Sequence, residues 1–102
     1  MKLVRVQYTT RADYVAANKA NIERVAAEVS ASGHPGIRYE TFLMEDGKTF
    51  MHFDRFENEA AHEFLQSLES FKRFSAELWA SGLEIEPVLE LPTVVTAIQD
   101  FS

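Results

Sequence analysis

His52 and Asp54 lie two residues apart in the run FMHFDRF, residues 50–56. Alternate residues of an extended chain share a side, so Phe50, His52, Asp54 and Phe56 line one side, with Met51, Phe53 and Arg55 on the other. An imidazole and a carboxylate framed by aromatic walls on an otherwise apolar surface are what a small-molecule pocket looks like. The bland alternative is that the two side chains bond each other, or Arg5, and merely satisfy buried polarity. Equally, one of them could stand in water at an open end of the sheet. The other histidines offer less. His34, between Gly33 and Pro35, reads as a turn residue, and His62 as a solvated or partly packed helix residue. No two histidines have HxH or HxxxH spacing, so no metal site is expected. The chain has no cysteine, which excludes disulfides, thiolate ligands and cysteine nucleophiles, and no serine stands in a triad-like context.

These residues need a scaffold, and hydrophobic periodicity predicts one. LVRVQY, residues 3–8, alternates as a strand, with Val4, Val6 and Tyr8 on one face and Leu3, Arg5 and Gln7 on the other. Thr9 or Thr10 opens a helix, with Thr10 and Asp13 spaced as a capping box. Ile22, Val25, Ala26 and Val29 form its apolar stripe, and Gly33 stops it. Ile37 to Met44 and Lys48 to Phe56 read as strands joined through Glu45-Asp46-Gly47. Asn58 caps a second helix that carries Phe64, Leu68, Phe71, Leu78 and Trp79, with a break expected near Ser67–Ser70. Ile85 to Ile98 is extended, and Pro87 and Pro92 mark it as an edge strand.

The order β-α-β-β-α-β predicts one α+β domain over residues 1–102: a ferredoxin-like antiparallel sheet with two helices on one face. The other face also carries apolar residues and needs cover. A second copy of the chain supplies it most economically, giving a homodimer that closes a dimeric α+β barrel. If Val4, Val6 and Tyr8 lie under the helices, Arg5 and Gln7 face the space between sheet and partner. His52 and Asp54 are expected to join them there.

Composition narrows the partners. A net charge of −6 and scattered Lys and Arg argue against nucleic acid. The N-terminal MKLVRVQYTT lacks a signal-like apolar run, and no later stretch is apolar enough to span a membrane, so a cytoplasmic protein is expected.

The run PGIRYETFLMEDGKTFMHFDRF, followed by SLESFKRF, resembles the antibiotic biosynthesis monooxygenase superfamily of dimeric α+β barrels, and is most similar to its small uncharacterised members. The resemblance covers most of residues 3–98 and rests on the Arg38-Tyr39 pair, Phe50 and His52. It implies a cofactor-independent monooxygenase acting on a small aromatic or quinol-type substrate, with His52 as base, Asp54 as its orienter, Arg5 or Gln7 as partner for the developing oxyanion, and Phe50, Phe56 and Tyr39 as walls of the pocket. Haem binding enters only through this analogy. The chain departs from the pattern in the second helix: His62 is displaced by three residues from the superfamily's histidine position, and Glu69 replaces a proline. A non-catalytic ligand-binding or structural dimer is the alternative, because few titratable groups converge beyond Arg5, His52 and Asp54.

Overall fold

The computed structural model describes residues 1–98. Strand β1 (Lys2–Thr9) is followed by a single 3-10 turn (Ala12–Tyr14) and helix α1 (Val15–Ser32). A hairpin of β2 (Ile37–Leu43) and β3 (Thr49–Phe56) comes next, then α2 (Glu59–Ser67), α3 (Glu69–Ala80) and β4 (Ile85–Glu90). The sheet is antiparallel with the order β2-β3-β1-β4, so the proline-bearing strand is at an edge, where its missing N–H costs no ladder bond. This is the ferredoxin-like α+β arrangement that the element order predicts.

Local chemistry explains most boundaries. Gly33 ends α1 at φ 67°, a conformation that a Cβ would strain. The Asn58 side chain accepts a hydrogen bond from the Ala61 amide at 2.9 Å and starts α2. The expected break falls at Leu68, whose extended backbone separates α2 from α3. The Thr10–Asp13 capping box does not form. Asp13 pairs with Arg11 instead and the Thr10 hydroxyl turns to the Lys48 carbonyl, so α1 begins only after the 3-10 turn.

All three helices cover one face of the sheet. Ile22, Val25 and Val29 of α1, Ala61 and Leu65 of α2, and Phe74 and Leu78 of α3 pack on Val4, Tyr8, Phe50 and Phe56. Phe71 is half-buried and meets the Phe74 ring at 5.8 Å, whereas Trp79 is 53% exposed and lies outside the core. The opposite face carries Arg5, Gln7, Phe42, Met51, Phe53 and Val88, with Phe42 and Val88 exposed. No helix among the described residues is long and apolar enough to cross a membrane.

Candidate functional site

Residues directly opposite in an antiparallel pair share a face. Val6 stands opposite His52, Val4 opposite Asp54, and Tyr8 opposite Phe50. His52 and Asp54 therefore lie under the helices, 4% and 6% exposed, on the face that holds the core. Arg5 is opposite Phe53 and Gln7 opposite Met51, on the other face. The expected constellation of His52, Asp54, Arg5 and Gln7 does not assemble, and the space it was to line between sheet and partner receives only Arg5 and Gln7. Arg5 there pairs with Glu90 at 2.6 Å and donates to Gln7. Phe50 and Phe56 are buried core residues, and half-buried Tyr39 lies opposite Asp54 on the helix-covered face.

His52 is instead the centre of a buried relay. Asn18 Nδ2 of α1 donates to Tyr8 Oη at 2.9 Å, and Tyr8 Oη lies 2.7 Å from His52 Nε2. His52 Nδ1 lies 3.1 Å from the Thr41 hydroxyl on β2. With Asn18 donating to Tyr8, the tyrosine proton goes to Nε2, and Nδ1 then carries a hydrogen for Thr41. The ring stacks against Tyr8 and meets Phe74 at a tilt, each with centroids 5.4 Å away. Burial lowers its pKa to about 4, so the imidazole is neutral at pH 7. Burial likewise raises the Tyr8 phenol. His52 in this setting is a neutral hydrogen-bonding element and a poor base.

Asp54 is the converse case. Burial raises its carboxyl to about 7, an effect that a backbone hydrogen bond from Glu40 lessens and the Glu40 charge reinforces. Its Oδ1 and the Oη of the facing Tyr39 are both buried without a partner. Burial, and then the Asp54 charge, raise the Tyr39 phenol.

The relay ends at a concavity. A cleft of about 280 Å³ opens between α1 and the β2–β3 hairpin, lined by Lys19, Ile22, Glu23, Thr41, Phe42, Leu43 and Phe50. Four walls are apolar, and an ammonium, a carboxylate and the His52-bonded hydroxyl are the polar groups among them. That is the usual composition of a small-molecule site, in a volume just below the usual range. Of these residues the sequence reading singled out only Phe50. Lys19 and Glu23 are four apart on one helix face, and Thr41 shares a strand face with Tyr39 and Leu43; those spacings were the available signals.

The remaining histidines have structural places. His34 Nδ1 accepts from the Gly36 amide at 3.0 Å, as a turn residue does, and the His62 ring stacks on Phe56 at 4.5 Å. Among the described residues, no group of three or more His, Asp or Glu is placed to hold a metal ion.

No family profile and no curated protein sequence matches the chain. Solved structures do match. An antibiotic biosynthesis monooxygenase superposes with a TM-score of 0.80 at 15% identity, covering 94% of this chain and 100% of its own. A candidate antibiotic biosynthesis monooxygenase from Bacteroides thetaiotaomicron reaches 0.82 at 13% identity, over 99% and 95% of the two chains. A mutant of SnoaB, a cofactor-independent oxygenase from Streptomyces nogalater, gives 0.72 at 16% identity, over 97% and 98%. At such identities the likeness is one of fold. The chain has the fold of the antibiotic biosynthesis monooxygenases, in keeping with the superfamily resemblance of its motifs.

Proposed function

We propose that the protein is a cofactor-independent monooxygenase for a small phenolic aromatic, with its site in the cleft between α1 and β2. The observation that carries this reading is the double role of Thr41, which lines the cleft and bonds the buried, neutral His52. His52 Nδ1–H donates to Thr41 Oγ, which aligns the Thr41 proton toward the cleft as a fixed donor. A phenol bound there against Ile22, Leu43 and Phe50 places its oxygen at Thr41 and the Lys19 ammonium. Both favour the phenolate, and the Glu23 carboxylate at the same cleft accepts the proton. A phenolate is electron-rich at the ring carbon para to its oxygen and reduces dioxygen itself. That carbon forms the bond to oxygen and loses its hydrogen. One oxygen atom stays as a carbonyl, and the other leaves as water with the two hydrogens that the substrate gives up. A naphthol then becomes a naphthoquinone with one dioxygen consumed, and the substrate is the sole reductant.

Oxygen uptake and quinone absorbance with a naphthol test this directly. Thr41→Val keeps the shape and removes the donor, so kcat should fall about 100-fold, the usual loss for one such donor. Uptake that Thr41→Val leaves unchanged, or quinone formation no faster than without protein, refutes the reading.

A second reading has its own observation. Ile85, Val88 and Phe42 are exposed on or beside the sheet face that no helix covers, and Val94, Val95 and Ile98 are exposed beyond β4. They favour a homodimer through that face, with or without catalysis. Sedimentation equilibrium that finds only the 11.6 kDa species excludes it.

A further inference from the structure

Six of the ten Lys and Arg side chains form an ion pair: Lys2, Arg5, Arg11, Lys48, Lys72 and Arg73. Arg38 and Arg55 do not, although they stand directly opposite each other on β2 and β3. Like charges in that position repel, and in a chain of net charge −6 carboxylates are plentiful. The pair is nevertheless without one among the described residues. Arg55 is also held in place: its guanidinium lies over the Phe53 ring, 5.5 Å from the centroid, and its Nε is buried with no hydrogen-bond partner. Both arginines line a hollow of about 570 Å³ with Met1, Pro35, Gly36, Phe56 and Glu57. The hollow is at the opposite end of the β2–β3 hairpin from the Thr41 cleft, so nothing in the oxygenase reading uses it.

We propose that this hollow binds the carboxylate of a small organic acid, held by Arg38 and Arg55 with its apolar body against Pro35 and Met1. The side chains there, two guanidiniums against the single Glu57 carboxylate, carry a net positive charge, which suits an anion. A guanidinium meets a carboxylate through two parallel N–H···O bonds, and the terminal nitrogens of Arg38 and Arg55 offer such donors while the buried Arg55 Nε and the Phe53 ring hold the second guanidinium in place. An apolar body is favoured because Met1 and Pro35 present no polar side-chain atoms that must be desolvated.

The test is a titration of the folded chain with benzoate, acetate and inorganic phosphate, followed through the arginine Nε–Hε signals in NMR. Benzoate should saturate, shift the Arg55 Nε–Hε resonance and bind more tightly than either acetate or phosphate. Arg38→Gln and Arg55→Gln should each weaken it about tenfold or more. Arg38→Gln should also raise the melting temperature in anion-free buffer, because it relieves the cross-strand repulsion. Arg38 is exposed, so this variant decides the matter alone if loss of the Phe53 contact unfolds Arg55→Gln. Tighter phosphate than benzoate overturns the carboxylate assignment. Benzoate affinity unchanged in Arg38→Gln overturns the site, as does a titration in which the variants alter only self-association.

Discussion

Replacing Asp54 with asparagine should stabilise the protein at neutral pH and leave it unchanged in acid. The carboxyl is raised from its ordinary 3.8 to about 7 by burial, so the folded state holds its proton where the unfolded state has lost it. Below the lower value both states are protonated and burial of the charge costs nothing. Between the two values unfolding releases a proton, so rising pH favours unfolding by about 1.4 kcal/mol per unit. Over this range the cost accumulates to roughly 4 kcal/mol and is constant above the upper value. Asparagine has nearly the same shape and no charge, so it escapes the whole of this cost. Urea unfolding of both proteins at a series of pH values measures the difference. The gap should open from near zero in acid, climb through the acidic range and flatten above neutrality. A pH-independent gap, or an Asp54→Asn protein that is less stable at neutral pH, would refute the argument that burial of the Asp54 charge outweighs its hydrogen bond from Glu40.

His52 carries the opposite slope. Its folded pKa of about 4 lies below the ordinary 6.5, so the unfolded state takes the proton first and acid favours unfolding across that range. In wild type this loss, roughly 3 kcal/mol, runs against the gain from Asp54 protonation, and His52→Gln should expose the latter by making the protein more stable as pH falls toward 4. Denaturation across the same pH series checks this, and a wild-type acid limb that survives in His52→Gln contradicts it. Tyr8→Phe removes the hydroxyl between Asn18 and His52, leaves two buried nitrogens without partners, and should cost about 2–5 kcal/mol by urea titration. The same substitution should slow naphthol turnover, because Thr41 loses its fixed support while the cleft walls are unchanged.

Much of the fold was legible because its determinants are local. Gly33 at positive φ, Asn58 as a cap, the break beside Leu68 and the edge position of the Pro87 strand all follow from one to four neighbouring residues. The Thr10–Asp13 box failed for want of tertiary information: Arg11 competes for Asp13, and the hairpin supplies Lys48 for Thr10. His52 and Asp54 fall on the covered face rather than the open one for a sharper reason. Both faces of FMHFDRF are apolar, so alternation groups His52 with Asp54 without saying which face is covered. Only the register with β1 decides, and a shift of one residue exchanges the faces. Val6 opposite His52 settles it, and the same pairing sends Arg5 to the other side. Thr41, Lys19 and Glu23 went unremarked because each is an ordinary residue on its own element. They come together only at the cleft, which depends on how α1 lies against the hairpin edge.

The proposed function requires a small aromatic to bind on the helix-covered side, at Thr41, and not on the open face of the sheet. Intermolecular nuclear Overhauser contacts between a bound naphthol and side-chain protons measure this most directly, under argon so that no turnover intervenes. Contacts are expected to the Thr41 methyl, Leu43 and the Phe50 ring, all of them lost in a cleft-filling Ile22→Trp variant that remains folded. Contacts to Met51, Phe53 and Val88 instead would contradict it.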